Sequence, residues 1–187
     1  RSKMPIHAIA LIPATDNRVN STAYAPGDIV TMHNGKNVEV MNTDAEGRMI
    51  LADALSYIDK FEPQFVLSIA TLTGSASRAV GPYGIVSMGN AEDHLFEQLE
   101  QSGFKTYERV VRFPFWSEYG DFLKSDIADL KNVGGESAGA ITAGKFLEQF
   151  TNHPFIHLDI AGAAYNHKPR HYQKFGASGV GVRLLYD

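Results

Sequence analysis

The chain is 187 residues long, 44% hydrophobic and 20% charged, with a formal net charge of -4 and no cysteine. At this length one core can bury roughly two thirds of the surface that the unfolded chain exposes, so a single domain over residues 1–187 is expected. The acidic balance argues against a nucleic-acid partner, the lack of cysteine excludes disulfides and thiol catalysis, and no apolar run reaches the roughly twenty residues that span a membrane.

The predicted elements alternate between strands and helices along the chain. The apolar run from Ile6 to Ile12, bounded by prolines, predicts a buried strand. Asn34-Gly35 between two apolar runs predicts a hairpin, and the apolar spacing that follows predicts a helix from Ala45 to Phe61. Further strands are predicted at 65–70, 84–88, 155–160 and in the closing VGVRLLYD, and further helices at 92–102, at 138–151 and within TLTGSASRAVG. This alternation indicates an α/β fold built on a layered sheet.

The sequence NTDAEGR, residues 42–48, joins the second hairpin strand to the predicted helix and allows two interpretations. As structure, Thr43 and Glu46 match a capping box, in which both side chains satisfy free backbone N–H groups at a helix start. As chemistry, Asp44 and Glu46 are two residues apart, so in an extended segment both carboxylates leave the same face. A metal ion or the guanidinium of Arg48 would relieve their repulsion. The residues alone leave capping and a metal or catalytic role open.

A second pattern, GESAG at 135–139, matches the G-x-S-x-G sequence of serine hydrolases, with Asp159 and then His167 or His171 following in the required order. The sequence before it is a weak strand, and no HGGG-type segment precedes it to stabilise an oxyanion. The alternative is that Ser137 is the N-cap of the following helix.

Two polar residues alternate along the predicted strand 155–160. His157 and Asp159 therefore share one face of that strand. A metal site between them is one interpretation, and a hydrogen-bonded pair at the end of the sheet is the favoured one.

Several motifs taken together resemble a known family. NTDAEGR followed by LADAL, then ATLTG at 70–74, SDIADLKN and HLDIAG stand in the order found in the leucine aminopeptidases, the two-metal cytosol aminopeptidases. The resemblance covers about Pro5 to Tyr186. It implies a three-layer α/β/α fold around a central mixed, largely parallel sheet, incomplete here relative to the family domain. It also implies release of amino-terminal residues, with a leucine-type preference, from peptide or aminoacyl substrates.

The resemblance assigns roles to individual residues. It implies that Asp44 binds one metal ion, that Glu46 bridges two, and that Arg48 holds bicarbonate or steadies the transition state. The two ions would be divalent, zinc, manganese or magnesium. The same resemblance implies the residues that contact the substrate, which are Thr71, Leu72, Gly74 and Ala161.

The resemblance also implies ligands that this sequence lacks. A lysine and two aspartates belong to upstream sequences of the type Asp-Thr/Ser-Gly-Gly and Met-Lys-x-Asp-Met, which do not occur here. We therefore expect the carboxyl-terminal part of a catalytic domain, without the amino-terminal domain and inactive alone. A short non-catalytic binding module of the same fold and a hydrolase using Ser137 are the alternatives. We expect a cytoplasmic homo-oligomer, a hexamer as in the family, with no nucleic-acid or membrane partner.

Overall fold

A mixed sheet of four strands forms the centre of the computed structural model, which describes residues 5–187. The strands are β1 (Ile29–Thr31), β2 (Asn37–Glu39), β3 (Val66–Ala70), β4 (Ile85–Gly89), β5 (Val110–Arg112), β6 (Leu130–Lys131), β7 (Phe155–Asp159), β8 (Tyr165–Asn166) and β9 (Gly176–Ala177). The α-helices are α1 (Glu46–Ile58), α2 (Gly74–Val80), α3 (Asp93–Thr106), α4 (Gly139–Glu148) and α5 (Val182–Tyr186). Short 3-10 helices occur at Thr43–Ala45, Asp59–Phe61, Gly81–Tyr83 and Ser117–Leu123.

The central sheet has the strand order β3-β7-β4-β5. β3 pairs with β7 and β4 with β5 in parallel, whereas β4 and β7 are antiparallel. The sheet is therefore mixed and largely parallel, as the sequence predicts. Every residue of β7 is buried, because this strand has a neighbour on each side and helices above and below.

Helices cover both faces of the central sheet. On one face, Phe96 of α3 and Leu184 of α5 belong to a buried cluster with Ile156 and Leu158 of β7. On the other, a cluster joins Ala76 of α2 and Ala140 of α4 to β4. This arrangement confirms the three-layer α/β/α prediction. Because side chains alternate along a strand, His157 and Asp159 lie on the face opposite Ile156 and Leu158.

A second, smaller sheet carries the NTDAEGR sequence toward this face. β1 and β2 form the predicted antiparallel hairpin, and β6 extends it by parallel pairing with β2. A large cluster of buried residues, including Val38 of β2, Leu55 of α1 and Phe146 of α4, packs the small sheet against the helices. The end of β2 is thereby held next to the start of α1.

Two predicted strands are wrong. Residues 6–12 form no strand and are mostly exposed, with Ile12 89% accessible. A run that is apolar on both faces needs neighbouring strands, and residues 5–187 offer it none. The closing sequence forms α5 instead of a strand, because the buried carboxylate of Glu108 accepts hydrogen bonds from the backbone N–H groups of Gly181 and Leu184 at its start.

Candidate metal and catalytic centre

The NTDAEGR sequence forms a tight helical turn that leads directly into α1. Asn42 is extended, and its side-chain oxygen accepts a hydrogen bond from the backbone N–H of Asp44 at 2.9 Å. The 3-10 turn Thr43–Ala45 follows, and α1 begins at Glu46 without a side-chain cap. The predicted capping box is therefore wrong: Asn42 caps this turn, since an asparagine side chain readily accepts from the N–H two residues on.

The two carboxylates of this turn differ in their surroundings. Residues 43–45 are helical and not extended, so the extended geometry that would put side chains two apart on one face is absent from this turn. Asp44 is exposed, whereas Glu46 is half-buried and accepts a hydrogen bond from the Asn17 amide at 2.9 Å. Burial and the negative charge of Glu46 both raise the pKa of Tyr24. The extended segment on which the shared face was predicted is therefore not present.

Arg48 is buried and forms no ion pair with these acids within residues 5–187. It is 8% exposed, and one terminal guanidinium nitrogen donates to the backbone carbonyl of Asn132 at 2.8 Å, while its Nε has no hydrogen-bond partner in the described part of the chain. Burial lowers the pKa of Arg48 to about 10, opposed by the nearby charge of Asp159. The side chain is therefore charged at neutral pH and presents an unused donor.

Two buried polar residues, to which the sequence analysis gave no role in positioning the site, hold it together. Asn132 is fully buried and hydrogen-bonds the backbone of Met41 and Asn42 through its side chain. Asp159, considered above as a triad acid and as a partner of His157, accepts hydrogen bonds from the backbone N–H groups of Leu72 and Ala161, both at 3.1 Å. Asp159 is the last residue of β7 and Asn132 directly follows β6, and this local signal gives no information on their distant partners.

Asp159 thus connects the segment of Leu72 to that of Ala161, and the resemblance places both segments around the substrate. Its second oxygen accepts from the Thr73 hydroxyl at 2.7 Å, and Thr73 in turn caps α2. Burial is the main influence on this carboxyl and raises its pKa, against the lowering effect of its hydrogen bonds. The predicted pair with His157 is wrong, because the imidazole bonds Ser68 on the adjacent strand at 3.1 Å.

His157 is fully buried, and its Nε2 has no hydrogen-bond partner among residues 5–187. Burial and the charge of Arg48 lower the pKa of His157 to about 3. The ring is therefore neutral at physiological pH and does not compete with Arg48 for an anion. It is a polar, uncharged group within the electrostatic influence of Arg48.

The candidate substrate residues lie beside the start of α1. Leu72 is half-buried, and its side chain lies against Gly47, where an added Cβ would be 3.7 Å from the leucine methyl. Thr71 and Gly74 are exposed on either side of it, and Gly74 begins α2. Asp159 accepts hydrogen bonds from the backbone N–H groups of both Leu72 and Ala161, so these two residues lie close together, and Leu72 contacts the NTDAEGR turn at Gly47.

Ser137 does not form a nucleophile elbow. It is exposed in the loop before α4, and the preceding strand β6 ends six residues earlier at Lys131. Asp159 is already bonded to Thr73, Leu72 and Ala161, so it is not aligned with a histidine. Nor is Ser137 an N-cap, since Ala138 occupies that position without a side-chain bond.

The donor set at the turn fits a metal ion only in part. Neither Asp44 nor Glu46 forms an ion pair within residues 5–187, so both carboxylates retain oxygens for a cation. Over the same residues no group of three or more histidine, aspartate or glutamate side chains is arranged for a metal. The turn offers separate ligands and not a complete coordination sphere.

Comparison with known protein families matches residues 1–186 to the cytosol aminopeptidase family, catalytic domain. The chain belongs to this family. The resemblance read from the motifs is therefore confirmed, and so is the mixed α/β fold that it implies. Within residues 5–187, no helix combines the length and the apolar character needed to cross a membrane.

Individual relatives agree with the family match. The chain is 50% identical over 186 residues to a probable cytosol aminopeptidase of Geobacter sulfurreducens, covering 99% of this chain and 37% of the relative. It is 47% identical over 185 residues to one of Roseiflexus castenholzii, covering 98% and 38%. The chain thus spans little more than a third of the length of these relatives.

Proposed function

We propose that this chain carries part of the catalytic centre of a metal-dependent aminopeptidase. The observation that carries the proposal is the NTDAEGR turn, where two carboxylates that form no ion pair within residues 5–187 are followed in the chain by a buried, charged guanidinium. In this proposal Asp44 binds one divalent ion, Glu46 bridges two, and Arg48 holds bicarbonate or stabilises the negative charge of the transition state. The unused Nε donor of Arg48 suits such an anion.

The metal would be zinc, manganese or magnesium, since carboxylate oxygens accept all three. When bound, two divalent ions lower the pKa of a shared water and polarise the substrate carbonyl. The protein's own contribution is placement: Asn42 sets the turn, and the Asn132 carbonyl orients the guanidinium of Arg48.

Peptides with a free amino terminus, preferably leucine, are the proposed substrates. Thr71, Leu72, Gly74 and Ala161 would contact them, and the hydrogen bonds that Asp159 accepts from Leu72 and Ala161 hold these two residues close together. In its full context the protein would act as a cytoplasmic homo-oligomer, a hexamer as the family resemblance implies.

The 187-residue chain on its own would bind metal weakly and hydrolyse substrate negligibly. Loss of even one group that supports a ligand commonly lowers metal affinity 10- to 100-fold, and two separate carboxylates leave most of each ion to water. The remaining ligands would come from the sequences that the longer relatives contain and this chain does not.

Calorimetric titration of the 187-residue chain with manganese or zinc tests the assignment. Weak binding should be lost in D44N and in E46Q and should persist in E97Q, which removes an exposed carboxylate of α3. A leucyl amide assay on the same samples should show no turnover. Binding that is unchanged in D44N and E46Q would contradict the ligand assignment. Micromolar affinity with turnover would contradict the proposal that the site is incomplete.

A further inference from the structure

One fully buried side chain connects the acidic turn, the end of β2 and Arg48. Asn132 follows β6, and its own backbone N–H donates to the carbonyl of Glu39 at 2.9 Å, the last bond between β6 and β2. Beyond that point the backbone pairing stops and the side chain of Asn132 continues it. Its position depends on residues about 90 apart in the chain, so no local sequence pattern reveals it.

The amide of Asn132 behaves as an extra peptide group. Its oxygen accepts from the backbone N–H of Met41 at 2.8 Å and of Asn42 at 3.3 Å, and its nitrogen donates to the carbonyl of Asn42 at 2.7 Å. The backbone carbonyl of the same residue accepts from Arg48 at 2.8 Å. Donor and acceptor sides are therefore both used, which an alanine, a leucine or an ionised aspartate cannot reproduce.

These contacts end on the groups of the proposed centre. Asn42, held on both its N–H and its carbonyl, places its own side chain on the N–H of Asp44 at 2.9 Å. Arg48 has no other hydrogen-bond partner recorded within residues 5–187, so the Asn132 carbonyl orients its guanidinium. Moving Asn132 would move both Asp44 and Arg48.

We propose that Asn132 is a positioning residue that sets the placement of Asp44 relative to Arg48, beyond its share in stability. The inference rests on the proposed function only for the claim that this placement serves a catalytic centre. The hydrogen bonds themselves can be tested without metal or substrate. An unsatisfied buried N–H or carbonyl is unfavourable enough to shift a local opening equilibrium about 10- to 100-fold.

Amide hydrogen exchange measured by NMR on the 187-residue chain tests the placement. In N132A, exchange at Met41, Asn42 and Asp44 should rise about 10- to 100-fold more than global unfolding explains. The matched control is N166A, which removes another buried asparagine whose amide donates to a backbone carbonyl, that of Lys174. N166A should leave these three amides unchanged once its own loss of stability is subtracted.

A conservative variant separates positioning from general destabilisation. In N132D, the ionised carboxylate can accept from Met41 and Asn42 but cannot donate to the Asn42 carbonyl, whereas the protonated form can. Lowering the pH should therefore partly restore protection at Asp44 in N132D and not in N132A. Equal exchange at these amides in N132A and N166A, with no recovery in N132D, would overturn the inference.

Manganese relaxation distinguishes failure of this inference from failure of the proposed function. Manganese added to the unsubstituted chain should broaden the signals around Asp44 and Glu46, and N132A should change this pattern. No broadening in the unsubstituted chain counts against the metal proposal alone. Identical broadening and identical exchange in N132A count against Asn132 as a positioning residue.

Discussion

Lowering the pH should destabilise the folded chain through His157. The folded chain holds this imidazole neutral, because burial and the charge of Arg48 lower its pKa from the ordinary 6.5 to about 3. Between these values the unfolded chain binds a proton that the folded chain does not. The stability that depends on a neutral His157 is thus fully present above about pH 6.5 and is lost as the pH falls toward 3.

The size of the effect follows from linkage. Going from about pH 7.5 to about pH 5, the shift of His157 removes on the order of 2 kcal/mol from the free energy of unfolding. Urea unfolding at both pH values measures it, with H157N as the reference. Asparagine keeps a polar group near Ser68 but does not titrate in this range, so the loss on acidification should be smaller by this amount in H157N.

A matched control distinguishes the titration of the buried His157 from the titration of histidines in general. H7N replaces an exposed histidine in the same way and should keep the full pH dependence. If the unsubstituted chain and H157N lose the same free energy between the two pH values, then His157 is protonated in the folded chain. The argument from burial and from Arg48 would then be refuted.

Three further predictions concern the packing around the site and the exposed surface. In G162A the added Cβ would overlap the carbonyl of Gly81, so the free energy of unfolding should fall by about 1–3 kcal/mol in urea titrations, whereas G120A, where nothing lies within 4 Å, should change it little. Since burial raises the pKa of Asp159, the stability of the unsubstituted chain relative to D159N should decline as the pH rises from about 4 to about 8, and a difference in melting temperature that grows with pH would contradict this. The apolar segment 6–12 exposes Ile12 at 89%, so sedimentation should show concentration-dependent association that I12K weakens, and a chain that stays monomeric at high concentration would exclude such association.

Local sequence determined much of the fold. The Asn-Gly turn and its flanking apolar runs were enough for the β1–β2 hairpin, and the apolar spacing after residue 45 was enough for α1. Strands β3 and β7 were predicted from short apolar runs that need burial on both faces. These signals succeed because hydrogen bonding and side-chain periodicity within an element act over a few residues.

Sequence also determined which residues belong to the candidate site, but not how they are arranged. NTDAEGR and the other motifs placed Asp44, Glu46 and Arg48 in the cytosol aminopeptidase family, which the comparisons confirm. Their roles as ligands and catalyst stay predictions. The helical turn that carries Asp44 depends on the cap from Asn42, and it is one of several local conformations that the same residues allow.

Only the tertiary structure decided the rest. Asn132 and Asp159 act through bonds to residues about 90 positions away, and α5 exists as a helix because Glu108, more than seventy residues earlier, satisfies its first N–H groups. The segment 6–12 shows the converse, since an apolar run becomes a strand only when a neighbour supplies the other half of its hydrogen bonds. Sequence determines what each segment needs, and the folded chain determines which distant group is there to provide it.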